Sequence, residues 1–189
     1  ITVANGYIRD NPRYPVIART LDASGLATVT IRLLTPSEAA KDEHTGYWSF
    51  DLELLSHRIR EATHWVSLHP RLRELDIGFL GSGTGAAAAL VVAAQLGAAV
   101  HAVVSRGGRP DLGRDYLPRV TASTLLIVGE KDEAVCDLNR QAFSQLLCPK
   151  EMTIVAGSDH LFGEAGALEK VASLAAAWFA AHLRSGTRI

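Results

Sequence analysis

Short β-branched runs alternate along the chain with longer stretches of helical period. Residues 1–4 (ITVA) read as a short strand. Over 12–24, Val16, Ile17 and Leu21 share one face and Gly25 stands as a stop, which predicts a helix. Residues 27–34 (ATVTIRLL) predict a strand, and 35–49 read as a polar loop, long for such a connection. Over 51–69, Leu52, Leu55, Ile59 and Val66 fall on one face and Pro70 follows, so this stretch predicts a helix. The alternation then repeats: strand 76–80, alanine-rich helix 84–96, strand 99–105, a Gly/Pro-rich loop to 120, strand 124–128, helix 134–147, strand 152–156 and helix 167–183.

Strands spaced by helices predict βαβ units and a parallel sheet covered on both faces. The apolar runs TLLIV and AVHAVV suit such a sheet. No internal repeat, low-complexity tract or linker interrupts the pattern. The expectation is one α/β domain over 1–189, doubly wound, with a mostly parallel sheet of about six strands and helices on both faces. Ligands bind such sheets beyond the carboxyl ends of the strands. The turns after Leu80, Ser105, Val128 and Ala156 are therefore where chemistry is expected.

Composition narrows the picture. Hydrophobic residues make up 48% of the 189 and charged residues 21%, a globular balance. A net charge of -1 gives no reason to expect nucleic acid or an acidic membrane as partner. Two cysteines, Cys136 and Cys148, do not make a disulfide framework, so a reducing, cytoplasmic setting is expected. No apolar run is long enough to span a bilayer, and no signal peptide is expected. The chain opens on Ile1 without a methionine, which suggests that a leading segment has been left out. The expected partner is a small molecule, with the chain acting as a monomer or homodimer.

The turn after Leu80 reads Gly81-Ser82-Gly83-Thr84-Gly85, followed by an alanine run. A strand enters a glycine-dense turn and leaves directly as a helix, the setting of the G-x-S-x-G nucleophile elbow. Gly81 and Gly85 match the outer glycines. The centre is Gly83, which has no side-chain oxygen and can form no acyl-enzyme. Gly83 therefore enters the candidate catalytic set through its backbone only. Serine appears one residue early, and Ser82 joins that set although the turn aims one residue only. A dinucleotide loop, G-x-G-x-x-G, would need glycine where Ala86 stands.

Asp132 follows the strand TLLIV and His160 follows the strand that ends at 156. The chain order nucleophile position, acid, base is the one this kind of sheet uses. An aspartate there orients the imidazole and stabilises its charged form. Asp159, beside His160, is a rival carboxylate.

These residues, with Leu33-Leu34-Thr35-Pro36, the run Ser105-Arg106-Gly107-Gly108-Arg109-Pro110-Asp111-Leu112, Leu125 to Gly129 and His160-Leu161-Phe162, resemble the dienelactone hydrolase-like α/β-hydrolases. The likeness is to compact members without a large cap, some of them fused to a phosphoribosyltransferase. It runs from about residue 9 to residue 183. It implies an α/β-hydrolase fold with the nucleophile at position 83, where the family reads G-A-S-T-G, the acid at Asp132 and the base at His160. Two departures stand out. Ser82 and Gly83 replace alanine and serine. After the first strand, Ala4-Asn5-Gly6-Tyr7-Ile8-Arg9 replaces H-G-S-G-S-S, which in the family helps build the oxyanion hole.

The candidate substrate-binding set is Asn5, Gly6, Tyr7, Thr84, Arg106 and Arg109. The two arginines could clamp a carboxylate or phosphate, or could hold their own loop through Asp111 or backbone carbonyls. Asp42, Glu43 and His44 lack metal-ligand spacing, and no metal or cofactor is expected. Cys136 lies on the wrong turn for a nucleophile and reads as buried packing. Three functions follow: an enzyme that kept the pocket and turned to non-covalent acid–base chemistry, such as elimination, cyclisation or direct hydrolysis; a non-catalytic binding or scaffold protein; and a serine ester or lactone hydrolase held as an inactive variant.

Overall fold

The structure is a computed structural model that describes residues 2–4 and 13–183. In the three central strands, β3 (Gly78–Gly83), β4 (Ala102–Gly108) and β5 (Ser123–Gly129), successive apolar side chains feed two different cores. Phe79, Val103 and Leu126 belong to one; Leu80, Ala102, Val104, Leu125 and Ile127 belong to the other. That is the period-two consequence of a pleated strand buried on both faces. Each fully buried side chain of this size contributes about 1.5–3 kcal/mol.

Among the described residues, six strands form the sheet in the order β2-β1-β3-β4-β5-β6, with β1 Thr2–Ala4, β2 Thr30–Arg32 and β6 Lys150–Val155. Every pair runs parallel. Helices α1 (Arg13–Ala23) and α6 (Ala167–His182) pack together over one face. On the other face lie α3 (Leu52–Leu68), α4 (Thr84–Leu96) and α5 (Glu133–Gln145), the last joined to α4 through a 3-10 helix over Pro110–Arg119. The order reverses between β1 and β3, so the carboxyl end of β3 sits at the crevice where doubly wound sheets bind ligands.

Helix α4 falls where the sequence predicts it. Residues 35–49 do not: instead of a loop, Pro36–Thr45 forms helix α2. Thr35 accepts from the Glu38 N–H, and the Glu38 carboxylate accepts from the Thr35 N–H, a capping box with Pro36 in the first turn. The helix has no apolar stripe, so periodicity passes over it. Its buried residue is Asp42, whose carboxylate accepts from the N–H groups of Trp48 and Ser49 at 2.6 and 3.0 Å. The strand expected over 27–34 shortens to Thr30–Arg32, and the expected Gly/Pro-rich loop carries the 3-10 helix. Strands β3 and β4 run three residues past their expected ends, to Gly83 and Gly108.

Candidate active site

Strand β3 passes into α4 without a connecting loop, and Gly83 is the hinge. Its φ of 52° and ψ of -132° lie in a region that side chains rarely adopt. The ladder to β4 slips here: Ser82 pairs with Arg106 but Gly83 pairs with Gly108, so Gly107, at φ 50°, is the extra residue of a bulge. The Arg109 N–H closes the turn on the Gly83 carbonyl at 3.0 Å. Glycine at 81 is a packing requirement, because a β-carbon there would stand 2.7 Å from Ala86 Cα and 2.8 Å from its nitrogen. Helix α4 can thus start against the strand end, with its N-terminal N–H groups at the sheet edge.

Strand parity decides where the neighbouring side chains go. Ser82 and Arg106 share the parity of Leu80 and Val104, which face the α1–α6 layer. There the Ser82 and Tyr14 hydroxyls share a hydrogen bond of 2.6 Å, and both residues are buried. The Arg106 guanidinium lies in the same layer, 5.6 Å from the Tyr14 ring centroid and 6.0 Å from that of Phe162. It is 4% exposed, so it stands beneath the turn and not on a rim.

The acid and the base are carried by two loops, and the histidine loop is seated on glycines. A β-carbon at Gly129 would lie 2.1 Å from the Asp159 carbonyl oxygen, and one at Gly107 would lie 2.7 Å from that of His160. The histidine loop therefore rests directly on the carboxyl ends of β4 and β5. Asp132 caps α5 through the Val135 N–H at 3.2 Å, and its other oxygen stands 3.7 Å from His160 Nδ1. That contact is an electrostatic approach and longer than a hydrogen bond. The His160 side chain is 57% exposed and that of Asp132 22%. The rival carboxylate, Asp159, is engaged within its own loop: its Oδ1 accepts from the Leu161 N–H at 2.8 Å and the Gly163 N–H at 3.4 Å. Partial desolvation raises its carboxyl, but the N–H groups of Leu161, Gly163 and Phe162 outweigh that and hold it below the usual carboxylate range.

Of the other candidates, Arg109 takes the loop-holding role. It binds Asp111 through two nitrogens at 2.9 and 2.8 Å, which raises its own already high value further. Thr84 is buried in the first turn of α4. Asn5, Gly6 and Tyr7 lie outside the described residues. Cys136 is packing: its S–H donates to the Gly129 carbonyl at 3.2 Å, and burial pushes the thiol up. Among the described residues no group of three His, Cys, Asp or Glu could hold a metal, and no helix is long and apolar enough to cross a membrane.

Sequence reasoning passed over three residues that shape the site. Tyr14 reads only as part of a helix. Asn139, fully buried, donates to the Gly108 and Val135 carbonyls at 3.0 and 2.8 Å and ties α5 to the turn after β4. Glu164 accepts from the Asp159 N–H at 3.1 Å and from the Lys131 ammonium at 3.0 Å. None of the three belongs to a motif.

The chain matches no protein-family model. It is similar to a dienelactone hydrolase from Anabaena variabilis of known crystal structure, with TM-score 0.92 and 45% identity over 97% of this chain and 86% of that one. A dienelactone hydrolase-like promiscuous phosphotriesterase from metagenomic libraries shares the fold at TM-score 0.75 and 18% identity, over 97% of this chain and 86% of that one. Among curated proteins, it is 44% identical over 179 residues to one from Mycobacterium tuberculosis named "Putative phosphoribosyl transferase". That match covers 95% of this chain, and the chain spans 40% of the length of the relative.

Proposed function

This chain belongs to the dienelactone hydrolase-like α/β-hydrolases, and we propose that it carries out acid–base chemistry without a covalent intermediate, using Asp132 and His160 on a small molecule bound above Gly83. One observation carries the reading. Gly83 keeps the sharp φ 52°, ψ -132° bend at the strand–helix junction while offering no nucleophilic atom, and the Asp132–His160 approach survives 3.7 Å long.

In this reading position 83 is the family's nucleophile position, vacated. With Nδ1 turned to Asp132, Nε2 is the ring nitrogen that meets substrate or water. It takes a proton from a carbon acid or a hydroxyl, or from a water that attacks directly, and returns it to the leaving group. Elimination, cyclisation and direct hydrolysis all fit that sequence. The N–H groups at the start of α4 receive the negative charge that develops on the substrate. Arg106, buried beneath the turn, contributes a fixed positive charge and makes no direct clamp. The Mycobacterium relative is named for phosphoribosyl transfer, and this chain spans 40% of its length.

The test uses 5-nitrobenzisoxazole, which opens when a base removes one proton and involves no covalent enzyme intermediate. The chain is expected to accelerate the opening, and His160→Ala to lose about a hundredfold or more of that rate. Equal rates with and without the imidazole would end the reading. A second arm asks whether Gly83→Ser gains a mass-detectable acyl adduct from p-nitrophenyl acetate. An adduct that turns over rapidly would favour a hydrolase held as an inactive variant.

A further inference from the structure

Lys131 and Asp132 are adjacent on the acid loop, and each reaches across to the histidine loop. Asp132 approaches His160 at 3.7 Å; Lys131 Nζ approaches Glu164 Oε1 at 3.0 Å. The Lys131 backbone N–H also donates to the Ser158 carbonyl at 2.9 Å. Glu164 turns back on its own loop, its two carboxylate oxygens accepting from the Asp159 N–H at 3.1 and 3.3 Å. One carboxylate therefore ties the amide just before His160 to the ammonium just before Asp132.

We propose that Glu164 is the positioning residue of the acid–histidine pair: it sets the separation of the two loops and thereby which nitrogen of His160 faces Asp132. The inference rests on the reading that Asp132 and His160 act together. Three features support it. Two other ties cross between the loops ahead of Asp159, the Glu130 carboxylate accepting from the Gly157 N–H at 2.7 Å and the Lys131 N–H donating to the Ser158 carbonyl, while Asp159 holds Leu161 and Gly163 within its own loop. The glycines at 107 and 129 support the loop from below, and the Lys131–Glu164 ion pair ties the side of the loop beyond His160 to the acid loop. The Glu164 carboxyl is held below its usual range, first by its own backbone N–H and next by Lys131, so it stays an anion where the pair operates.

The sensor is the imidazole itself. In chain labelled with nitrogen-15 histidine, long-range proton–nitrogen correlation at a pH well above the ordinary imidazole range reports which nitrogen carries the proton. The His160 signal is assigned by its loss in His160→Asn. The native chain is expected to show the Nδ1-protonated tautomer, because Nδ1 faces the Asp132 carboxylate. Glu164→Ala is expected to lose that preference, as Asp132→Asn does. Glu164→Gln, whose amide oxygen still accepts from both donors, is expected to restore it. Lys131→Met, at an exposed residue, gives a partial loss and guards against a variant that fails to fold.

A residue that only stabilised the loop would shift the melting temperature and leave the tautomer alone. Retention of the Nδ1 proton in a folded Glu164→Ala protein overturns the inference while leaving the pair intact. A native chain without the Nδ1 preference means that Asp132 does not orient His160, and the proposed function falls with it.

Discussion

Gly107 and the His160 carbonyl are in contact with no room for a side chain between them, since a β-carbon at 107 would stand 2.7 Å from that oxygen. The bulge that puts Gly107 at φ 50° is the same one that brings Gly83 opposite Gly108. One irregularity of the ladder thus shapes the turn that presents residue 83 and the seat on which the histidine loop rests.

Gly107→Ala tests this seat. The left-handed backbone alone costs a non-glycine residue about 1–2 kcal/mol, and the contact with the carbonyl adds to it. For a chain of this length each kcal/mol lowers Tm by about 2–4 °C. Calorimetry should record a fall of at least that size, with the His160 amide exchanging faster with solvent. An unchanged Tm would show that the histidine loop does not sit on β4.

Beneath the turn, the Tyr14–Ser82 hydrogen bond predicts a pattern of double mutants. Tyr14→Phe leaves a buried hydroxyl on Ser82 without its partner, which costs about 1–3 kcal/mol. Adding Ser82→Ala removes the stranded group, so the double variant should recover part of the loss in urea denaturation. Strictly additive losses would mean that the two hydroxyls do not interact.

The sequence discloses the sheet because the strands alternate between two apolar layers, and it discloses α4 because a glycine turn precedes a thirteen-residue run in which every residue but Gln95 is apolar or small. It hides α2 because a helix that buries only Asp42 has no apolar period to detect. The signal that the sequence does carry for α2 is the capping run Thr35-Pro36-Ser37-Glu38. At the site, Asp132, His160 and the bend at Gly83 follow from the order of motifs along the chain. Tyr14 and Glu164 do not, since each acts across 33 or more positions of sequence: Tyr14 to Ser82 over 68, Glu164 to Lys131 over 33. Arg106 and Arg109 look alike in sequence, but parity sends one under the sheet edge and Asp111 captures the other.

Acid stability is expected to depend on Glu38. The Arg58 hydrogen bonds lower its carboxyl to about 2, with burial opposing and Thr35 assisting. Arg58 binds both oxygens at 2.7 Å and also donates to the Leu33 carbonyl. A carboxyl lower in the folded state than in the unfolded one stabilises fully above the unfolded value of 4.5 and loses that contribution as pH falls toward 2. The contribution is on the order of 3 kcal/mol, and Glu38→Gln should lack it. Urea midpoints of the two proteins should differ most near neutrality and converge by about pH 2. A constant gap across that range would refute the assignment.

Gly83 and Gly97 bracket α4 in nearly the same backbone conformation, φ 52°, ψ -132° and φ 55°, ψ -127°. Only Gly83 stands at the carboxyl end of the sheet, and a β-carbon at Gly97 would meet nothing within 4 Å. Gly97→Ser therefore measures the backbone strain alone, about 1–3 kcal/mol for such a conformation. Gly83→Ser should cost the same to within about 0.5 kcal/mol if the space above the turn is open, and more if side chains close it. Equal losses in urea denaturation would mean that the space above the turn is open and that a serine at the bend costs only the backbone strain. A Gly83→Ser protein as stable as the native chain would show that the bend relaxes, and residue 83 would then not be held at the tip of the turn.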